Sequence, residues 1–353
     1  MVDWKGLYNW SMNYVDGTKP SNFKEMSKED MDFIQNAFES VCLNEMKEIW
    51  KILDICKTPE GDSEQEINER YELLEKMSGH IDGLENANNI VRGKRFNEIV
   101  SHFFESKHKK IKIEYARIIT QMTQNESFVQ KAALELGIFN FLKDLNEEKD
   151  PELISIYIYL LTGLLYGDDI TTKKYFVQEC DGIKLLFNLL IREIKSNKNA
   201  KRLLNIFSEL TKETDENLVK GGKELRKYIM NEIYEIKLHL RFINMLNDYK
   251  YSNENECDMI HLIFNIIYNL TELFINSPAE IFDEIKKMNK LIDEANLEEG
   301  IKKNEKAFLI DIIKNVKTKI KEIKENPNGD VKKNDTIEIK QIGNKESMKI
   351  QLK

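Results

Sequence analysis

Apolar residues recur along most of this chain at intervals of three and four, separated by polar ones. That is the spacing of one buried helix face. Trp4, Leu7, Tyr8 and Ser11 share a face in Asp3–Tyr14, with Trp10 beside them. Asp16–Ser21 reads as a turn or linker. Ser27-x-x-Asp30 is a variant capping box opening a helix through Phe33, Ile34, Ala37, Phe38 and Val41. A further helix carries Met46, Ile49, Trp50, Leu53 and Ile55, and Thr58–Asp62 breaks the chain. From Ile67 helices follow one another with short polar gaps to about Glu325, where Asn326–Gly329 ends the run. The last segments, T-I-E-I-K-Q-I and M-K-I-Q-L, alternate like weak strands. A disordered Lys-rich tail is expected there, with a strand-like docking peptide as the alternative. The organisation expected is an N-terminal helical or flexible region (1–61), a repeat domain (62–325) and the tail (326–353).

The order of the helices carries a repeat. Gly137-Ile138 is followed by Leu142 and Leu145, and Gly182-Ile183 by Phe187 and Leu190, the two glycines being 45 residues apart. Thr120 and Thr162, in two helices of similar texture, are 42 apart. Weaker echoes stand at Leu204–Thr211 and Asn265–Leu273. A period of 40–47 residues with two or three helices marks armadillo and HEAT arrays, whose units bury their apolar faces only by stacking. The matched offsets favour this over a plain helical bundle. The fold expected is all-α: an armadillo/HEAT-like right-handed solenoid. Third helices line the concave face of such a fold. Thr120, Gln121, Gln124, Asn125, Thr162, Tyr166, Asp168, Asp169, Lys201, Asn205, Ser208 and Glu209 would then form a polar groove suited to a protein surface.

Gly83–Ile90, G-L-E-N-A-N-N-I, gathers Glu85, Asn86, Asn88 and Asn89 around one small residue, Ala87. Asn competes for backbone hydrogen bonds and favours caps and turns, so a helix end and a new N-cap is one reading. The other is a polar binding edge, with Ala87 small so that a partner approaches closely.

Composition narrows the function. Gly (15) and Pro (5) are scarce among 353 residues, which argues against an all-β fold. A net charge of −8 disfavours a nucleic-acid partner. No run is long and apolar enough for a signal peptide or a membrane span. Cys42, Cys56, Cys180 and Cys257 are widely spaced and read as reduced, buried thiols, so a cytoplasmic location is expected. His80, His102, His108, His239 and His261 form no metal-binding pair. Gly93-Lys94-Arg95 and Gly221-Gly222-Lys223 lack the full phosphate-loop pattern. No nucleophile signature stands out. The expectation is therefore a monomeric binding protein with no catalytic residue, metal or cofactor.

The chain resembles the armadillo-type nucleotide exchange factors of heat-shock protein 70 (DnaK-type) chaperones. The resemblance rests on L-E-N-A-N-N-I at Leu84–Ile90, A-R-I-I-T-Q-M-T-Q-N at Ala116–Asn125 and K-Y-F-V-Q-E-C-D-G-I at Lys174–Ile183. The opening L-Y-N-W-S-M at Leu7–Met12 is also similar, and the whole match runs over about Leu7–Leu210. The resemblance implies a curved domain that grips one lobe of the chaperone's ATPase domain, opens the nucleotide cleft and releases ADP. It implies that Glu85, Asn86, Ala87, Asn88 and Asn89 form part of the grip, with Lys201, or Arg202 one position on, as a basic contact. It further implies that Trp4, Leu7, Tyr8 and Trp10 help release client polypeptide. The chain departs from the pattern in having Glu85 for an aspartate, Tyr166 for a basic residue, and no glycine near Thr120–Gln121. An armadillo scaffold or adaptor for an extended peptide is the alternative. That reading asks for an Asn and Trp ladder; Asn125, Asn205 and Asn269 are present, but every Trp precedes the repeats.

Overall fold

The protein is described here from a computed structural model, which covers residues 45–81, 84–213, 221–251, 253–275 and 278–325, with residue 28 standing alone. The segment Asp3–Tyr14, the Ser27 cap and the 326–353 tail lie outside the described residues.

Ser63 starts the first long helix: its hydroxyl accepts from the Glu66 amide while the Glu66 carboxylate takes the Ser63 amide, a reciprocal capping box. This helix, α2 (Glu64–His80), packs beside a helix at 45–56, α1, which sends Ile49, Ile52, Leu53 and Cys56 into the core. Ile55, read as an apolar anchor, is instead 38% exposed. The Arg70 guanidinium ties the two, donating to the Cys56 and Thr58 carbonyls at 2.8 and 2.9 Å.

After α2 the chain repeats a three-helix plan. The first unit is α3 (Leu84–Arg92), α4 (Phe96–Glu105) and α5 (Lys109–Thr123). The second is α6 (Ser127–Glu135), a 3₁₀ turn (Ile138–Asn140) with α7 (Phe141–Glu147), and α8 (Pro151–Leu165). The third is α9 (Ile170–Glu179), α10 (Gly182–Glu193) and α11 (Asn197–Thr211). The fourth is α12 (Gly222–Glu235), α13 (Leu238–Met245) and α14 (Glu254–Asn269). A 3₁₀ turn (Thr271–Phe274), α15 (Ala279–Glu294) and α16 (Glu299–Glu325) follow. No strand occurs among the described residues.

The third helices stack in order, α2 on α5, α5 on α8, α8 on α11, α11 on α14 and α14 on α16. The first helices form a parallel row, α3, α6, α9 and α12. Each unit thus buries its apolar stripe against its neighbours, in one continuous core. Thr120 and Thr162 are each the twelfth residue of their third helix, as their 42-residue spacing predicts.

The glycine pair is subtler. The turn from first to second helix needs one left-handed residue, and these are Lys94, Gly137, Asp181 and Lys237. Gly137 fills that place, with φ of 72°. Gly182 lies one position after it and is glycine for another reason: a Cβ there would sit 2.4 Å from the Phe176 ring. The apolar offsets hold nonetheless. Ile138, Leu142, Leu145, Ile183 and Leu190 are buried, and Phe187 is half-buried.

Candidate protein-binding face

The third-helix row places most of the predicted groove residues on one side of the fold. At the end of α5, Gln124 and Asn125 are exposed, and Asn125 turns the chain with φ of 57°. Gln121 is half-buried and bridges two units, its side-chain oxygen accepting from the Ser78 hydroxyl of α2 at 2.7 Å. Thr120 is buried, its hydroxyl satisfied by the Ala116 carbonyl. Thr162 is half-buried and donates to the Tyr159 carbonyl at 2.6 Å. Both threonines donate their hydroxyl hydrogen within their own helix.

Tyr166 closes α8 and is half-buried. Burial, helped by the nearby Glu209 carboxylate, pushes its phenol up to about 12, so the hydroxyl keeps its proton at neutral pH. Asp168 is exposed, whereas Asp169 is buried and caps α9 through the Thr171 and Thr172 amides.

On α11 the two basic candidates already have partners. The Lys201 ammonium meets the Asp258 carboxylate of α14 at 2.5 Å. The Arg202 guanidinium donates to the Ser155 carbonyl of α8 at 3.0 Å and lies 4.4 Å from the centre of the Tyr159 ring. Asn205 is half-buried on the same row. Asn269, a rung of the expected asparagine ladder, is spent inside the fold: its amide donates to the Ser208 carbonyl and the Thr211 hydroxyl, each at 3.2 Å.

The Leu84–Ile90 segment falls on α3, in the first-helix row rather than the third. Glu85 is exposed, and Asn88 and Asn89 are half-buried. Asn86 is 6% exposed; its amide donates to the Glu45 carboxylate at 2.9 Å and the His80 carbonyl at 2.8 Å. Ala87 is 2% exposed and belongs to the core, so packing accounts for its small size. Leu84–Ile90 forms the first seven of the nine residues of α3, which begins shortly after α2 ends at His80, so it marks a helix start. Trp4, Leu7, Tyr8 and Trp10 lie outside the described residues.

Sequence reasoning missed a set of inward-turned polar groups behind this face, two buried (Gln130, Lys173) and one half-buried (Arg226). Gln130 is 1% exposed, and its amide donates to the Gly163 carbonyl at 2.9 Å and to the Tyr166 carbonyl. Lys173 is 4% exposed, its ammonium 2.5 Å from the Gly167 carbonyl and 2.7 Å from the Glu209 carboxylate. Arg226 donates to the Asn269 carbonyl at 3.0 Å and pairs with Glu272 at 2.6 Å. The available signal was positional: Gln130 and Lys173 are each the fourth residue of their first helix, and Arg226 the fifth.

On the first- and second-helix side a cavity of about 600 Å³ lies between the second and third units, lined in part by Phe139, Tyr175, Cys180, Asp181 and Lys184. Burial pushes the Cys180 thiol up to about 11, which keeps it in the unreactive protonated form. Among the described residues, no three or more His, Cys, Asp or Glu side chains are grouped to hold a metal ion, and no helix is long and apolar enough to cross a membrane.

No protein-family model and no curated protein matches the sequence. Solved structures do match in shape. An engineered protein aligns with a TM-score of 0.53 at 12% identity, over 76% of this chain and 98% of that one. A designed armadillo repeat protein in complex with the peptide (KR)4 aligns at 0.52 and 12%, over 74% and 98%. Computationally designed armadillo repeat proteins for modular peptide recognition align at 0.52 and 13%, again over 74% and 98%. At such identities the likeness is one of fold, and the three-helix units stacked in order agree with it: the chain is an armadillo-type helical solenoid.

Proposed function

We propose that this chain is a non-catalytic protein-binding scaffold, and that its partner is the ATPase domain of a heat-shock protein 70 chaperone, whose ADP it helps to release. The observation that carries the scaffold reading is the third-helix row. It aligns Gln124, Asn125, Tyr166 and Asn205 on consecutive units of a rigid stack. Such a surface suits a folded lobe, with aromatic and amide groups for contact. The chaperone reading rests on the segments Leu84–Ile90, Ala116–Asn125 and Lys174–Ile183, which fall within the first three units.

Exchange requires only differential binding. A scaffold that fits the open arrangement of a nucleotide cleft better than the closed one shifts the population toward opening. Linkage then makes nucleotide weaken scaffold binding by the same factor. No covalent step by this chain is needed.

The test is stopped-flow release of a fluorescent ADP analogue from a cytosolic DnaK-type chaperone. The wild-type chain accelerates release, and Asn205→Lys or Glu85→Lys, both chosen outside the core, reduce the acceleration. A folded chain that leaves release unchanged with several such chaperones, yet retains an extended peptide on the third-helix face, would replace this reading with a peptide-binding adaptor.

A further inference from the structure

Gln130 and Lys173, which are buried, and Arg226, which is half-buried, share a common placement. Each projects from the first helix of its unit, and each reaches the carboxyl-terminal end of that unit's third helix. Gln130 reaches Gly163 and Tyr166 at the end of α8, Lys173 reaches Glu209 near the end of α11, and Arg226 reaches Asn269 at the end of α14. The last carbonyls of a helix have no partner within it, and its end carries partial negative charge, so an amide or a cation there is favoured.

Lys173 goes further than the other two. Its second bond is to the Gly167 carbonyl, just beyond α8, so one ammonium joins the end of one third helix to the side of the next. Around it stand Tyr166, whose phenol feels Glu209, and Lys212, 2.8 Å from the Glu209 carboxylate. The Lys173 and Glu209 side chains are 5% and 10% exposed. Glu209 belongs to the same row as Asn205, which is offered above as a contact.

We infer that the Lys173–Glu209 pair is a positioning lock that fixes the angle between the second and third units, and with it the shape of the third-helix face. A buried pair of this kind contributes little net stability compared with an apolar replacement, but it admits one geometry. Gln130 and Arg226 hold their units internally; Lys173 holds two units to each other. The effect on chaperone binding rests on the function proposed above, whereas the effect on shape does not.

The experiment separates stability from shape. Lys173→Met alone leaves the Glu209 carboxylate buried beside the single cation Lys212, and its melting temperature falls. Lys173→Met/Glu209→Gln removes the charge imbalance and recovers most of the melting temperature. The lock predicts that this folded double variant still differs from wild type: small-angle scattering gives a changed radius of gyration. Amide hydrogen exchange at Gly167–Asp169 and Glu209–Lys212 rises about tenfold while α2 and α14 are unaffected. Lys173→Arg, which keeps a cation in place, restores both. If the chain accelerates ADP release, the double variant loses most of that acceleration despite its recovered stability. A double variant with wild-type scattering and wild-type exchange in both segments overturns the lock. Failure of the wild-type chain to release ADP would overturn only the proposed function, since scattering and exchange judge the lock without a partner.

Discussion

The fourth residue of the first helix is Ala87 in the first unit and Lys173 in the third. Both are buried, at 2% and 4% exposure, in equivalent places of the same three-helix plan. One is a plain packing residue in an apolar core, while the other carries a charge held by a carbonyl and a carboxylate. Stacking therefore needs only that the position be filled and satisfied. What fills it decides whether a unit is merely packed or also locked.

Ala87→Arg is the largest test of that contrast. With no carboxylate arranged to receive it, a guanidinium there leaves an uncompensated charge, at a cost of about 3–5 kcal/mol. Urea unfolding measures it, and a loss below about 1 kcal/mol would mean that the two positions are interchangeable after all. The same burial makes Ala87→Arg a poor probe of partner contact, whereas exposed Glu85 is a clean one.

Gly163→Ala sharpens the contrast from the apolar side. A Cβ there would lie 2.6 Å from the Thr123 hydroxyl and 2.8 Å from the Thr120 carbonyl, where α8 meets α5. Overpacking of about 1–3 kcal/mol is expected, read as a lower urea midpoint with an unchanged slope.

Acid should act on the fourth unit through His239, buried with its ring stacked 5.5 Å from Tyr234. Burial holds its imidazole below the ordinary 6.5, as it does for His102. The unfolded chain then binds protons that the folded chain refuses. Stability is full above about 6.5 and declines as pH falls through that value toward the lowered one. Glu114 works the other way. Burial raises its carboxyl above 4.5, so its protonation on acidification relieves the fold. Melting temperatures at pH 7.5 and 5.5 should show a drop that His239→Phe makes smaller; an equal drop in both chains would remove His239 from the account.

The smallest effect expected is that of Lys201→Ala. The ion pair with Asp258 is partly exposed, so its loss should change stability by less than about 1 kcal/mol, and by less still in high salt. Thermal melts at two salt concentrations test this. A larger loss would show that an exposed bridge can lock units as Lys173 does.

Much of the fold was legible because helix formation and stacking leave an apolar record. The Thr120–Thr162 spacing and the Gly137–Ile138 offsets locate two units without any knowledge of contacts. The candidate face was legible as a row, since Gln121, Gln124, Tyr166 and Asn205 do share it. Inward polar groups were not. A binary pattern treats Asn86, Gln130 and Lys173 as outward-facing, because their partners lie elsewhere: Glu45 is 41 residues from Asn86, and Glu209 is 36 from Lys173. Lys201 and Arg202 likewise have partners far off in sequence, Asp258 and Ser155, which the local pattern does not show.

Lys94, Asp181 and Lys237 hold the left-handed turn that Gly137 holds in the second unit. Left-handed backbone disfavours a lysine by about 1–2 kcal/mol, so it persists there only because the helices on either side dictate it. The turn is thus written in the packing and not in the residue that makes it. A stack whose corners are enforced from outside tolerates almost any letter at those corners, and its units can share a shape while sharing hardly any spelling.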